Sequence, residues 1–266
     1  MKTSIKLIAT LATALLLPGC NHSDDALLTD TSGTGSLHIE YDNSFAGNDL
    51  ILNAPNGPTS QLETLRVTSL KYIVSNIALT DENGQTFRYP GTRYFIASES
   101  DPSSLLIRLH GVPAANYTQI RFGIGVDEHQ WALGASGQGD LLAQADAQDM
   151  LWSWSAGYKF VAFEGKFTSP LASDTDFMIH TGKTGTGYNY REITLDLPQK
   201  AIVRPSITPQ IHVVADCSQL IDGLHKIKLS DHNTGGLGAM IMGGEVLGLI
   251  TENLSTVFSV DHVHND

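Results

Sequence analysis

Apolar and polar residues alternate along most of this chain. "SLHIEYDN" alternates from Leu37, and "LETLRVTSLKYIVSNIALTDENGQTFRY" gives two runs joined at Asp81-Glu82-Asn83-Gly84. A period of two sends successive side chains to opposite faces of a strand, and an Asn-Gly step between two such runs favours a hairpin. "TRYFIAS", "SLLIRLHGV", "YTQIRFGIGVD", "GYKFVAFEGKFTS", "DFMIHTG" and "YREITLDL" repeat the pattern between Gly, Pro, Asn and Asp. "QKAIVRPSITPQIHVVADCSQLI" adds two more, with Pro205 and Pro209 making that region bent or edge-like. Short strands at this spacing predict an all-β domain: an antiparallel sandwich or barrel-like fold with long loops. No βαβ alternation is present, which argues against a nucleotide-binding α/β fold.

Two segments depart from the period of two. "GDLLAQADAQDML" reads as a helical turn or a loop. "GAMIMGGEVLGLITENLSTVF" spaces its apolar residues for one short C-terminal helix, about 244–257, with Val246, Leu249, Ile250 and Leu254 facing the core. In "MLWSWSAGYKF" (150–160) an extended chain would put Trp152 and Trp154 on one face. Such a pair suits core packing, an exposed stacking platform for carbohydrate, or redox chemistry.

The N-terminus adds a compartment. Lys2 and Lys6 precede an apolar run over 7–17, and Leu17-Pro18-Gly19-Cys20 closes it. That layout predicts a lipoprotein-type signal over 1–19 with lipidation at Cys20, the apolar run being too short for a spanning helix. Residues 20–36 are polar and Gly/Ser/Thr-rich, the composition of a flexible tether. About 230 residues then form a single β domain over 37–266. The expected location is the periplasm, anchored by lipid to the cell envelope at the outer membrane, with the membrane met only through that anchor. With Cys20 lipidated, Cys217 has no disulfide partner and reads as a small buried apolar residue. Loss of the leader takes the formal charge from −12 to −14 without exposing a Lys/Arg cluster, which argues against nucleic acid as a partner.

Histidine carries the candidate chemistry. His262 and His264 stand two apart in "FSVDHVHND", so in a strand both imidazoles face one way and can reach one ion. His129 in "GVDEHQWALG" and His180 in "DFMIHTGKTG" sit at a loop and a strand end, where sites concentrate. His232 lies in another polar loop. His38, His110, His212 and His225 read as structural or surface residues. Met150, Met178, Met240 and Met242 permit copper through their thioethers, although methionine in apolar stretches is ordinarily core filler. No G-x-S-x-G, H-E-x-x-H, Walker, C-x-x-C-H or EF-hand pattern occurs, so no enzyme activity is expected.

"LKYIVSNIAL", "IRFGIGVD", "MLWSWSAGYKFVAFEG", "FMIHTG" and "FSVDHVH" occur in the order that resembles the MbnP-like family of periplasmic copper-binding proteins, over about 37–264. The block W-x-W-x-x-G-Y-K-F-x-x-x-E-G at 152–165 is the most specific part; Leu151 stands where that pattern would have a histidine. The resemblance implies a secreted β-rich domain that sequesters or delivers copper through histidines, here drawn from His129, His180, His262 and His264. It also implies a tryptophan oxidised to kynurenine, with Trp131, Trp152 and Trp154 as candidates. The partner it implies is a dihaem cytochrome of the c-peroxidase/MauG type. The competing expectation is a metal-free β-sandwich docking module of the cell envelope.

Overall fold

The computed structural model describes residues 30–90, 93–152, 157–185 and 187–266. The signal segment, Cys20, most of the tether and Trp154 lie outside the described residues. The strands run in the order β1 (Thr34–Phe45), β2 (Asn48–Asp49), β3 (Pro55–Asn56), β4 (Thr64–Asp81), β5 (Thr86–Arg88), β6 (Phe95–Ser98), β7 (Leu106–Pro113) and β8 (Ala115–Ile124). Two short helices follow, α1 (Glu128–Ala132) and α2 (Leu141–Ala147). Then come β9 (Lys159–Ser169), β10 (Ala172–Thr184), β11 (Gly187–Tyr188), β12 (Arg191–Val203) and β13 (Pro209–Asp216). The chain closes with α3 (Gln219–Asp222), β14 (Ala239–Ile241), α4 (Gly244–Val257) and β15 (Phe258–Asn265). Among the described residues no helix is long and apolar enough to cross a membrane.

Two sheets face each other, the all-β arrangement expected. The smaller has the order β15-β13-β1-β2, with β7 also paired to β1. The larger runs β11-β10-β9-β4-β8-β12, with β14 beside β10 and β3, β5 and β6 along β4. Pairing is antiparallel except at β1–β13 and β10–β14, which are parallel. β1 begins at Thr34 and pairs there with Pro113, so residues 34–36 belong to the sheet although their composition reads as tether.

β4 illustrates how the core is assembled. Leu65 and Val67 face inward, then a bulge between Val67 and Ser69 shifts the phase so that Leu70, Tyr72 and Val74 continue inward. A second irregularity between Ser75 and Ala78, with Asn76 at φ 52°, returns Ile77 and Leu79 to the core. A bulge adds one residue to one strand, which is the way to keep an apolar face buried across a break in alternation. Ile73 points the other way, into a second cluster with Val126, Leu141, Met150, Tyr158 and Phe160. That end of the large sheet is therefore covered on both faces, with α2 forming part of the cover.

The turn at 81–84 forms as its sequence predicts: Asp81 Oδ1 accepts from the N–H groups of Asn83 and Gln85, and Gly84 takes φ 78°. "YREITLDL" and "QKAIV" prove to be one strand, β12, whose ladder is interrupted between Asp196 and Ala201, the stretch containing Pro198. Pro209 opens β13, as a proline in a sheet should. α4 has the expected span, but Leu247, Ile250, Leu254 and Val257 make its buried face; Val246 and Leu249 are only half-buried. Cys217 is buried and unpaired, and burial pushes its thiol well up from the ordinary value.

Candidate metal centre

β13 alternates strictly: Pro209, Ile211, Val213 and Ala215 are buried, while Gln210, His212 and Val214 face outward. β15 pairs with it, but its apolar residues Phe258, Val260 and Val263 do not alternate. The register shifts by one residue here: Val260 opposes Val213, His262 opposes His212, and Asp261 is left over as a bulge. Run straight, the same ladder would turn Val263 to solvent and both imidazoles inward. The bulge keeps Val263 in the core and sends His262 and His264 outward, onto the face that carries His212.

The result is a three-histidine cluster whose candidate ligand nitrogens all lie within 4.8 Å of one another. The Nε2 atoms of His262 and His264 are 2.9 Å apart, and the rings of His212 and His262 stack at 4.1 Å and 17°. A tetrahedral ion with bonds of about 2.0–2.1 Å spaces its donors by roughly 3.3 Å, so small ring rotations suffice. Carboxylates hold the other side of two rings: Asp261 Oδ2 is 2.6 Å from His262 Nδ1, and Glu40 Oε2 is 3.3 Å from His212 Nδ1. Such outer partners fix imidazole tautomer and orientation at metal sites. Half-exposed imidazoles with carboxylates behind them are a donor set that fits copper or zinc.

Burial, reinforced by His262 and His264 and opposed by Glu40 and Asp261, lowers the affinity of His212 for a proton. His38, on the same outer face of β1, is lowered by burial together with Arg108 and His110. Both groups protonate more readily in the unfolded chain, so the stability they contribute is full above the ordinary imidazole value of about 6.5 and is lost as pH falls through their lowered folded values. The metal-free protein should have a lower urea midpoint at pH 5.5 than at pH 7.5. The His38→Gln/His212→Gln variant should narrow that gap, and an unchanged gap would refute the assignment.

The remaining sequence candidates lie elsewhere. His180 sits inside β10, not at its end, and its Nε2 donates to Glu164 Oε1 at 2.6 Å. That bond holds the Glu164 carboxyl below the usual range against the opposing effect of burial. Trp152 packs on His180 with ring centroids 5.7 Å apart. His129 is exposed on α1, and His232 ends a short 3-10 turn at Leu229–His232. Trp131 makes edge contacts with Tyr158, Phe160 and Tyr188. Trp152 is not in a regular strand: Leu151 bridges Tyr158, and the Trp152 N–H donates to the Gly157 carbonyl. At 6% exposure it is no open stacking platform. An apolar hollow of about 450 Å³ opens between Trp131 and Trp152.

His212, which the sequence puts among structural or surface histidines, is the third member of this cluster. Its outward phase was visible in "IHVVA", but the strand that pairs with it was not.

Two packed sheets with an outward cluster of imidazoles define the class, an all-β sandwich protein with a candidate histidine metal centre. The chain belongs to the MbnP family, whose model matches residues 34–241. The matched region contains Trp131, Trp152, His180 and His212 and ends before His262 and His264. Among solved structures, MbnP from Methylosinus trichosporium aligns with 15% identity over 80% of this chain and 82% of that one, with a TM-score of 0.48. A comparison with curated proteins found no match.

Proposed function

We propose that this protein is a periplasmic copper-binding lipoprotein, anchored through Cys20, that sequesters or delivers the ion and performs no catalysis of its own. The observation supporting this reading is the convergence of His212, His262 and His264 on one outer sheet face. Imidazole nitrogen serves both Cu(I) and Cu(II), and the formal charge of −12 favours cation approach. Purified protein should take up one equivalent of copper at this site, and His262→Ala/His264→Ala should lose it. Those substitutions are preferable to removing 261–266, because truncation also deletes Val263 from the core. A wild-type protein that binds no copper would leave the metal-free docking module as the reading.

The oxidation expected from the family resemblance is assigned to Trp152, since its ring lies against His180. A dihaem cytochrome of the c-peroxidase/MauG type would be the partner. Peptide mass spectrometry of 129–160 from the native host should then find kynurenine at Trp152; kynurenine at Trp131 or Trp154 instead would overturn that assignment, and all three intact would remove both the modification and that partner.

A further inference from the structure

Gln210 stands two residues before His212 on β13, on the same outer face, and is half-buried. Its amide nitrogen is held on two sides: Nε2 lies 2.5 Å from Glu40 Oε2 and 3.0 Å from His212 Nε2. The chemistry of these contacts fixes which atom is which. An ionised carboxylate only accepts, so the group facing Glu40 is the amide N–H and not the amide carbonyl. The second amide proton is left for His212 Nε2, which must therefore be an acceptor. Neutral imidazole has one N–H and one lone pair, so the His212 proton sits on Nδ1, the nitrogen 3.3 Å from Glu40 Oε2.

His262 is arranged in the same way. Asp261 Oδ2 accepts from its Nδ1, which leaves the lone pair on Nε2, and His264 Nε2, 2.9 Å away, donates to it. The two lone pairs that an ion would use are thus already engaged by N–H groups of their neighbours. His264 is itself a candidate ligand, and a turn of its ring or a change of tautomer frees both nitrogens. Gln210 is different. It is not one of the three imidazoles, and its amide must leave His212 Nε2 before that nitrogen can coordinate. It also competes with His212 for the same carboxylate oxygen, Oε2 of Glu40.

We propose that Gln210 is a latch on the three-histidine centre, a positioning residue that weakens the hold on the ion and keeps it exchangeable. The proposal rests on reading the triad as the metal centre, and it favours delivery over permanent storage. When the ion leaves, the amide returns to His212 and Glu40, so its loss is offset by two hydrogen bonds regained. Intramolecular hydrogen bonds have a modest net worth, so the latch tunes affinity by about two- to tenfold and does not switch it off.

The test reads the full-length protein first without metal and then with it. Nitrogen NMR of the imidazole rings at neutral pH, in metal-free protein, should find His212 protonated on Nδ1 with Nε2 shifted as a hydrogen-bonded acceptor. Gln210→Ala should move that resonance to the position of a free lone pair. Cu(II) titration against a competing chelator should then give Gln210→Ala the wild-type stoichiometry and an affinity about two to ten times higher. A His212 proton on Nε2, an Nε2 resonance indifferent to the substitution, or a Gln210→Ala affinity equal to or below wild type would each overturn the latch alone. Wild-type protein that takes up no Cu(II) would overturn the copper reading of the centre, and the role of Gln210 with it.

Discussion

Saturating copper should raise the melting temperature of the wild-type protein by about 5–10 °C and leave His212→Ala almost unmoved. Ligand at a hundred times its dissociation constant stabilises a native state by about 2.7 kcal/mol, and a domain of this size shifts roughly 2–4 °C per kcal/mol. His212 is the informative position because it joins the H-x-H pair from another strand. Without it, His262 and His264 remain 2.9 Å apart but offer only two nitrogens. Affinity should fall at least about a hundredfold, beyond the 10–100-fold typical of losing an outer-sphere partner. His38→Ala is the control, since His38 lies on the same sheet face, opposite Gln210 in the β1–β13 register, outside the cluster. A copper-induced shift in His212→Ala equal to the wild-type shift would refute the three-histidine site.

Asp261 refines the same expectation. Asp261→Asn keeps the bulge and removes the carboxylate from His262 Nδ1, so the affinity should drop within the outer-sphere range. Deleting Asp261 regularises the ladder and leaves His262 opposite His212. Both variants should therefore retain copper more weakly, whereas His212→Ala should not.

What could be read in the sequence follows from what is local. The alternation from Leu37, the turn at Asp81-Gly84 and the span of α4 each depend on neighbours in the chain, and each appears in the structure. That His262 and His264 face the same way was legible for the same reason. The bulges of β4 and β15 were not, because each is fixed by which apolar residues a partner strand forces into the core. The parallel pairing of β1 with β13 joins residues about 170 positions apart. No local pattern announces it, so Glu40 could not be placed behind His212, and His212 itself joins the H-x-H pair only through the β13–β15 ladder. Trp152 was misplaced for a related reason. The extended reading of 150–160 followed from residue spacing, while the Leu151–Tyr158 bridge and the contact of Trp152 with His180 are set by the fold.

Phe258→Ala should be the most damaging single substitution near the site, costing about 3–5 kcal/mol, the range for truncating a buried phenylalanine. Phe258 is the first residue of β15, and its ring meets Tyr41, Tyr72 and Phe122 edge-on at 6.3, 5.7 and 5.3 Å. Such contacts add to the area term, and α4 ends immediately before them. The expected fall in melting temperature is about 6–20 °C. Phe258 and Val263 are the inward anchors on either side of the bulge, so loosening the first also loosens the strand that carries the H-x-H pair. Copper binds only the ordered strand and should therefore return part of the loss, up to about 2.7 kcal/mol at a hundredfold excess over its dissociation constant. Thermal unfolding of Phe258→Ala with and without copper measures this, and the same variant lacking His212 should show no recovery. Recovery that persists without His212 would mean that the stabilising ion sits elsewhere; no destabilisation at all would mean that this aromatic cluster does not hold β15 in place.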